Sequence, residues 1–135
     1  MSTLERAIEI AALAHSAQFT PDGNPYILHP LRMMLTFSSP DERITAVLHD
    51  VVEKSDDWPI GRLRREGFNE VVLQAIEALT KRPGEEFYDL VRRARQNEIG
   101  RSVKCADIND HLAYFPPGEN CEKYLSALTM LQDAA

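Results

Sequence analysis

Only two cysteines, Cys105 and Cys121, occur in the 135 residues, and no CxxC spacing joins them. They supply neither a disulfide framework nor a zinc ribbon, and the pattern fits a reducing compartment, with the cytoplasm as the expected location. No apolar run approaches the ~18–20 residues that a membrane span needs. The opening segment MSTLERAIEIAALAH carries acids early and has no basic stretch ahead of an apolar core. It therefore reads as an amphipathic helix and not as a secretory leader. Positive charge is in deficit: 15 lysines and arginines against 21 acids leave a net charge of −6. That balance argues against a nucleic acid polymer or an anionic membrane as partner, while a small phosphorylated ligand in a local basic pocket stays compatible with it. The oligomeric state is not legible from these features.

What is present is helical periodicity along almost the whole chain, with no convincing alternating strand. The pattern predicts helices over about 3–18, from Pro30 onward, and over about 41–53. Further helices are predicted from Pro59 to a stop at Gly67 with Asp57 as cap, then over about 69–80, 86–96, 101–113 and 121–131. The last should pack through Tyr124, Leu125, Leu128 and Leu131. Pro30 suits a first helical turn, where its missing N–H costs nothing, and His29, as the residue before proline, is expected outside the α region. The expectation is one all-α domain of about seven to eight helices spanning residues 1–135.

Polar residues interrupt this pattern at informative places. His29, His49, Asp50 and Asp107 lie on three helices or their entrances, and two imidazoles with two carboxylates suit a borderline divalent ion such as Mn, Fe, Co or Zn. Adjacent helical residues point about 100° apart, so His49 and Asp50 can chelate one ion only from a helix facing a cleft. Each residue also has a plainer reading. A histidine before proline can be a cap or a satisfied core group, and Asp107 can pair with Lys104 or His111 on its own helix. Glu53 stands one turn beyond His49. His15 with Gln18 reads as packing or support, Tyr26 and Trp58 as core or pocket wall. Arg92, Arg93 and Arg95 form a basic face, solvated or meeting phosphate.

The strings AHSAQFTPDGNPYILHPLRMML, AVLHDVVEKS and RSVKCADINDHL resemble three successive motifs of the HD-domain hydrolases of the RelA/SpoT type. The family patterns are HxxQ…G-x-PYxxHP, LLHDxxED and VKxADxxxN, here in the same order, and the stand-alone small alarmone hydrolases are nearest in size. The resemblance implies an HD-type helical bundle with one Mn²⁺ held by His29, His49, Asp50 and Asp107. It implies hydrolysis of a phosphate ester, typically removal of the 3′-pyrophosphate from (p)ppGpp. Glu53 matches the first acid of the ED pair and would position the attacking water or shuttle its proton. Tyr26, Lys54, Lys104 and His111 would then face the substrate.

Three positions depart from the family pattern. Lys54 replaces the second acid of the ED pair, Pro21 stands where a phosphate-meeting lysine is usual, and His111 replaces an asparagine. Two other readings therefore stand beside the alarmone hydrolase: an HD hydrolase for a different phosphorylated metabolite, and a catalytically weak nucleotide-binding module. A chain of this length leaves no room for a synthetase domain, so a single activity is expected.

Overall fold

A computed structural model of the chain describes residues 2–116, 118 and 120–133. Among the described residues the regular structure is helical, apart from one antiparallel bridge between Phe19 and Pro25. The all-α expectation is met, with nine helical segments among the described residues, two of them halves of one interrupted helix. Residues 117 and 119 of the FPPGEN turn lie outside the described residues.

Helix α1 (Leu4–Ala14) starts where the Thr3 hydroxyl accepts the Arg6 N–H, satisfying one of the free amides of the first turn. It ends four residues short of the predicted boundary. Ala17 adopts left-handed backbone, φ 62°, which no helix interior can contain, and the chain reverses there. The following loop closes on itself: the Tyr26 amide donates to the Gln18 carbonyl at 2.9 Å and the Thr20 amide to Asn24 O at 2.8 Å. Tyr26 is thereby returned to the protein interior.

Helix α2 (Leu28–Leu35) begins earlier than predicted and contains His29 and Pro30 in its first turn. His29 is thus helical, contrary to expectation. First-turn amides have no intrahelical acceptor, so Pro30 gives up nothing there, and the His29 amide bonds the Tyr26 carbonyl at 3.0 Å.

Helix α3 (Pro40–Leu48) is the axis of the fold. Ser39 caps it, Pro40 occupies its first position, and it packs against α1, α2, α6 (Glu70–Leu79) and α8 (Glu98–Tyr114). Ile44 to Leu48 are five consecutive buried residues, so the second half of this helix is buried on every side rather than along one stripe. Burying a side chain such as Leu48 is worth roughly 1.5–3 kcal/mol.

A short α4 (Val51–Lys54) follows α3 after a break. Helix α5 (Ile60–Arg65) is flanked at its start by Pro59 without a side-chain cap. Asp57 does not cap it; its carbonyl accepts from the Arg62 guanidinium at 2.7 Å instead. The chain leaves α5 through Gly67, whose φ of 95° suits only glycine.

Helix α7 (Phe87–Arg95), α8 and α9 (Cys121–Gln132) share a second, smaller core of Val91, Ile108, Ala127 and Leu131. Tyr124 and Leu128 pack onto it, whereas Leu125 faces solvent. Helix α8 begins three residues earlier than predicted because Asn97 caps it, accepting the Gly100 amide at 2.8 Å. Between the two cores, α2, the α3–α4 break, and α8 meet around a polar cleft.

Candidate metal centre

The break between α3 and α4 falls at His49 and Asp50. The His49 amide reaches Ala46 O at 3.4 Å, and Asp50 sits at φ −106°, ψ 0°, off the helical values. Consecutive side chains on an unbroken helix would diverge; here both turn to one point, with His49 Nε2 3.0 Å from Asp50 Oδ2. The predicted continuous helix over 41–53 is corrected accordingly.

His29 reaches the same point from α2. Its Nδ1 lies 2.6 Å from Asp110 Oδ2, and Arg32 forks onto both oxygens of Asp110 at 2.8 Å each. Burial favours a neutral Asp110, but the bonds from His29 and Arg32 outweigh it and hold its pKa below the usual carboxylate range. An ionised carboxylate only accepts, so in the metal-free protein both nitrogens of His29 donate, Nδ1 to Asp110 and the inward Nε2 to Asp107 Oδ1 at 2.9 Å. Burial works against the charged ring, but these bonds outweigh it and raise its pKa.

His49 repeats the arrangement. Its Nδ1 donates to the Ala46 carbonyl at 2.7 Å, which leaves a lone pair on Nε2 in the neutral ring. That Nε2 is buried and has no hydrogen-bond partner among the described residues, though it faces Asp50 Oδ2 and, at 3.7 Å, Asp107 Oδ1. A lone pair aimed at two carboxylate oxygens is repulsive unless a cation lies between them. Burial disfavours a charged imidazole, yet Asp50 and Asp107 outweigh it and lift the His49 pKa to about 10. The site is built to hold positive charge, as a proton or as a metal ion.

The carboxylates are fixed as firmly. The Tyr26 hydroxyl donates to Asp50 Oδ2. Asp107 divides its oxygens: Oδ2 takes the Lys104 ammonium at 2.9 Å, leaving Oδ1 for the imidazoles. Burial works against both anions, but their neighbours (His49 foremost for Asp50, Lys104 for Asp107) hold both pKa values far below the ordinary range. Donor atoms fall into two groups lying within 4.8 Å of one another, His29–His49–Asp50 and His29–Asp107–His111, which share His29. Imidazole nitrogens whose other ring N–H is anchored, set beside ionised carboxylates, are the donors that Mn, Fe, Co and Zn ions take. The residues present fit such an ion.

The centre opens into a cavity of about 810 Å³, within the range of nucleotide-sized sites. Asp50, Glu53, Lys54, Lys81, Lys104 and His111 are among its lining residues. Glu53 Oε1 accepts the Lys81 backbone N–H at 2.9 Å, which fixes this exposed carboxylate through one of its oxygens. The Lys54 ammonium stands 5.2 Å from the Tyr26 ring centroid, and Pro21 also lies on the cavity wall. Lys104, expected to face substrate, has its ammonium engaged by Asp107.

Gln18 links this wall to α1. Its Oε1 meets His15 Nδ1 at 2.9 Å, while its Nε2 donates to Ala14 O at 3.1 Å and to Lys54 O at 2.8 Å. The His15–Gln18 pair thus holds the end of α4 in place. Sequence reasoning passed over Asp110, Arg32 and Lys81. Two of them carry a helical signal: Arg32 follows His29, and Asp110 follows Asp107, by one turn.

No family model matches the chain. It is 33% identical over 79% of its length to a GTP pyrophosphokinase of Streptomyces coelicolor. It is 31% identical over 73% of its length to a guanosine-3′,5′-bis(diphosphate) 3′-pyrophosphohydrolase of Borreliella burgdorferi, and 34% over 58% to one of Aquifex aeolicus. The matched regions are 12%, 14% and 12% of those proteins respectively, so the chain spans about an eighth of the length of the curated relatives it matches. Among solved structures, a metazoan ortholog of SpoT, described as hydrolysing ppGpp, superposes with a TM-score of 0.73 at 20% identity. That superposition covers 98% of this chain and 83% of the other, and it establishes the shared fold.

Proposed function

The chain belongs to the RelA/SpoT family of guanosine polyphosphate enzymes, and on that premise we propose that its cleft hydrolyses the 3′-pyrophosphate of a guanosine polyphosphate such as ppGpp. In this reading residues 1–135 form a single HD-type phosphohydrolase domain acting in the cytoplasm with one divalent ion, Mn²⁺. The observation that carries it is the buried His29 and His49 imidazoles set against Asp107 and Asp50, with both carboxylates on the wall of a cavity of about 810 Å³.

Those four residues would hold the ion through His29 Nε2, His49 Nε2, Asp50 Oδ2 and Asp107 Oδ1. When bound, the ion supplies Lewis acidity, activating water near neutral pH and polarising a phosphoryl oxygen. Glu53, anchored by the Lys81 amide, orients the attacking water through Oε2 and takes its proton. Lys54 and Lys81 bring positive charge to the wall where phosphate groups would lie, and Lys104 neutralises Asp107 from behind. Tyr26 fixes Asp50 and supports Lys54 with the face of its ring. The net reaction is ppGpp plus water to GDP plus pyrophosphate.

Ion-exchange analysis after incubating Mn²⁺-supplemented protein with ppGpp tests this reading. GDP and pyrophosphate should accumulate with the wild type and not with Glu53→Ala. Unchanged ppGpp would overturn the substrate assignment and direct attention to Pro21 and Lys54 as marks of a different phosphorylated substrate.

A further inference from the structure

Three imidazoles, not two, surround one carboxylate oxygen. Asp107 Oδ1 lies 2.9 Å from His29 Nε2, 3.7 Å from His49 Nε2 and 3.4 Å from His111 Nε2. Donors to one ion at bond lengths near 2.1 Å stand about 3 Å apart when adjacent and about 4.2 Å apart when opposite. The three separations run from 2.9 to 3.7 Å, all shorter than the distance between opposite donors. His111 also belongs with His29 and Asp107 to a group of donor atoms lying within 4.8 Å of one another. Asp107 and His111 are one helical turn apart on α8, so a single rigid element presents both.

The His111 ring is held for this task. It packs on Phe115 at 3.9 Å between centroids, inclined 31°, and on Tyr124 at 5.4 Å, with the edge-on His29 ring at 4.9 Å. The buried Nε2 of His49 lies 3.7 Å from the same Asp107 Oδ1.

We propose that His111 is a fifth protein donor to the ion, completing a centre of three imidazoles and two carboxylates. This rests on the metal centre described above and reassigns His111 from substrate contact to ligand. Two carboxylates balance a divalent charge, so the loaded centre is neutral. Three nitrogen donors raise affinity for Co²⁺ and Zn²⁺ relative to Mn²⁺.

The test is calorimetric titration of the wild type, His111→Asn and His49→Ala with Co²⁺ and Mn²⁺, together with visible spectra of the Co²⁺ forms. The wild type should bind one ion, and His111→Asn should still bind one. The Co²⁺ affinity of His111→Asn should fall at least tenfold, by more than its Mn²⁺ affinity, and its Co²⁺ spectrum should change in position and intensity. Retention of one ion by that variant also certifies its fold. Unchanged Co²⁺ affinity and spectrum in His111→Asn would overturn the ligand role and leave the centre standing. A wild type that binds no ion would overturn the centre itself.

Discussion

His29 Nδ1 lies 2.6 Å from Asp110 Oδ2, joining α2 to α8 across 81 residues of sequence. This contact, braced by Arg32, decides which nitrogen of His29 faces the centre. Replacing Asp110 with Asn keeps the shape but removes the anion that fixes the tautomer. Asp110→Asn should still bind one ion, with affinity lowered about 10- to 100-fold. Calorimetric titration reads this directly; affinity equal to the wild type would show that Asp110 has no positioning role.

Glu53 takes no part in the donor groups and is fixed by a backbone amide alone. Glu53→Gln should therefore retain the ion and the melting temperature of the wild type while turnover falls by about 10²–10⁴. Loss of the ion in this variant would move Glu53 into the metal shell.

Metal uptake should release protons. In the metal-free protein the His49 pKa is raised from 6.5 to about 10. Stability owed to the charged imidazole is thus fully present below pH 6.5 and is lost as pH rises toward 10. An ion must displace that proton, so its affinity rises with pH across the same window. Titrations at pH 7 in buffers of different ionisation enthalpy should report at least one proton released per ion. No release would mean that His49 is neutral before the ion binds.

The fold depends on α3 more than on any peripheral helix. Leu48 is fully buried next to the break that carries His49 and Asp50. Leu48→Ala should cost about 2–5 kcal/mol in chemical denaturation and weaken metal binding along with it. A loss below about 1 kcal/mol would place the load elsewhere, since even an Ile→Val truncation costs roughly that much.

His29, His49, Asp50 and Asp107 could be singled out because they occur in strings that resemble a family's motifs, and the structure brings their side chains near one another. The break at His49 was not legible, because Ala46 to Lys54 keeps helical periodicity straight through it and carries no glycine or proline. The start of α2 was misplaced for a related reason. Proline tolerates any position of a first turn, so Pro30 marks a helix entrance only to within a turn. Asp110 was hidden by its own neighbourhood. In CADINDH two aspartates one turn apart look interchangeable, and the distant Arg32, paired with Asp110, sets it apart from Asp107. The exposed side of α9 at Leu125 shows the same limit, since a short apolar helix against a small core leaves more leucines than it can bury.

The most direct measurement is the Mn²⁺ content of purified protein after metal loading and gel filtration, compared among the wild type, His49→Ala and Glu53→Ala. One ion per chain in the wild type and in Glu53→Ala, with none in His49→Ala, is the expected result. Equal metal in all three, or none in any, would contradict a centre built on His29, His49, Asp50 and Asp107.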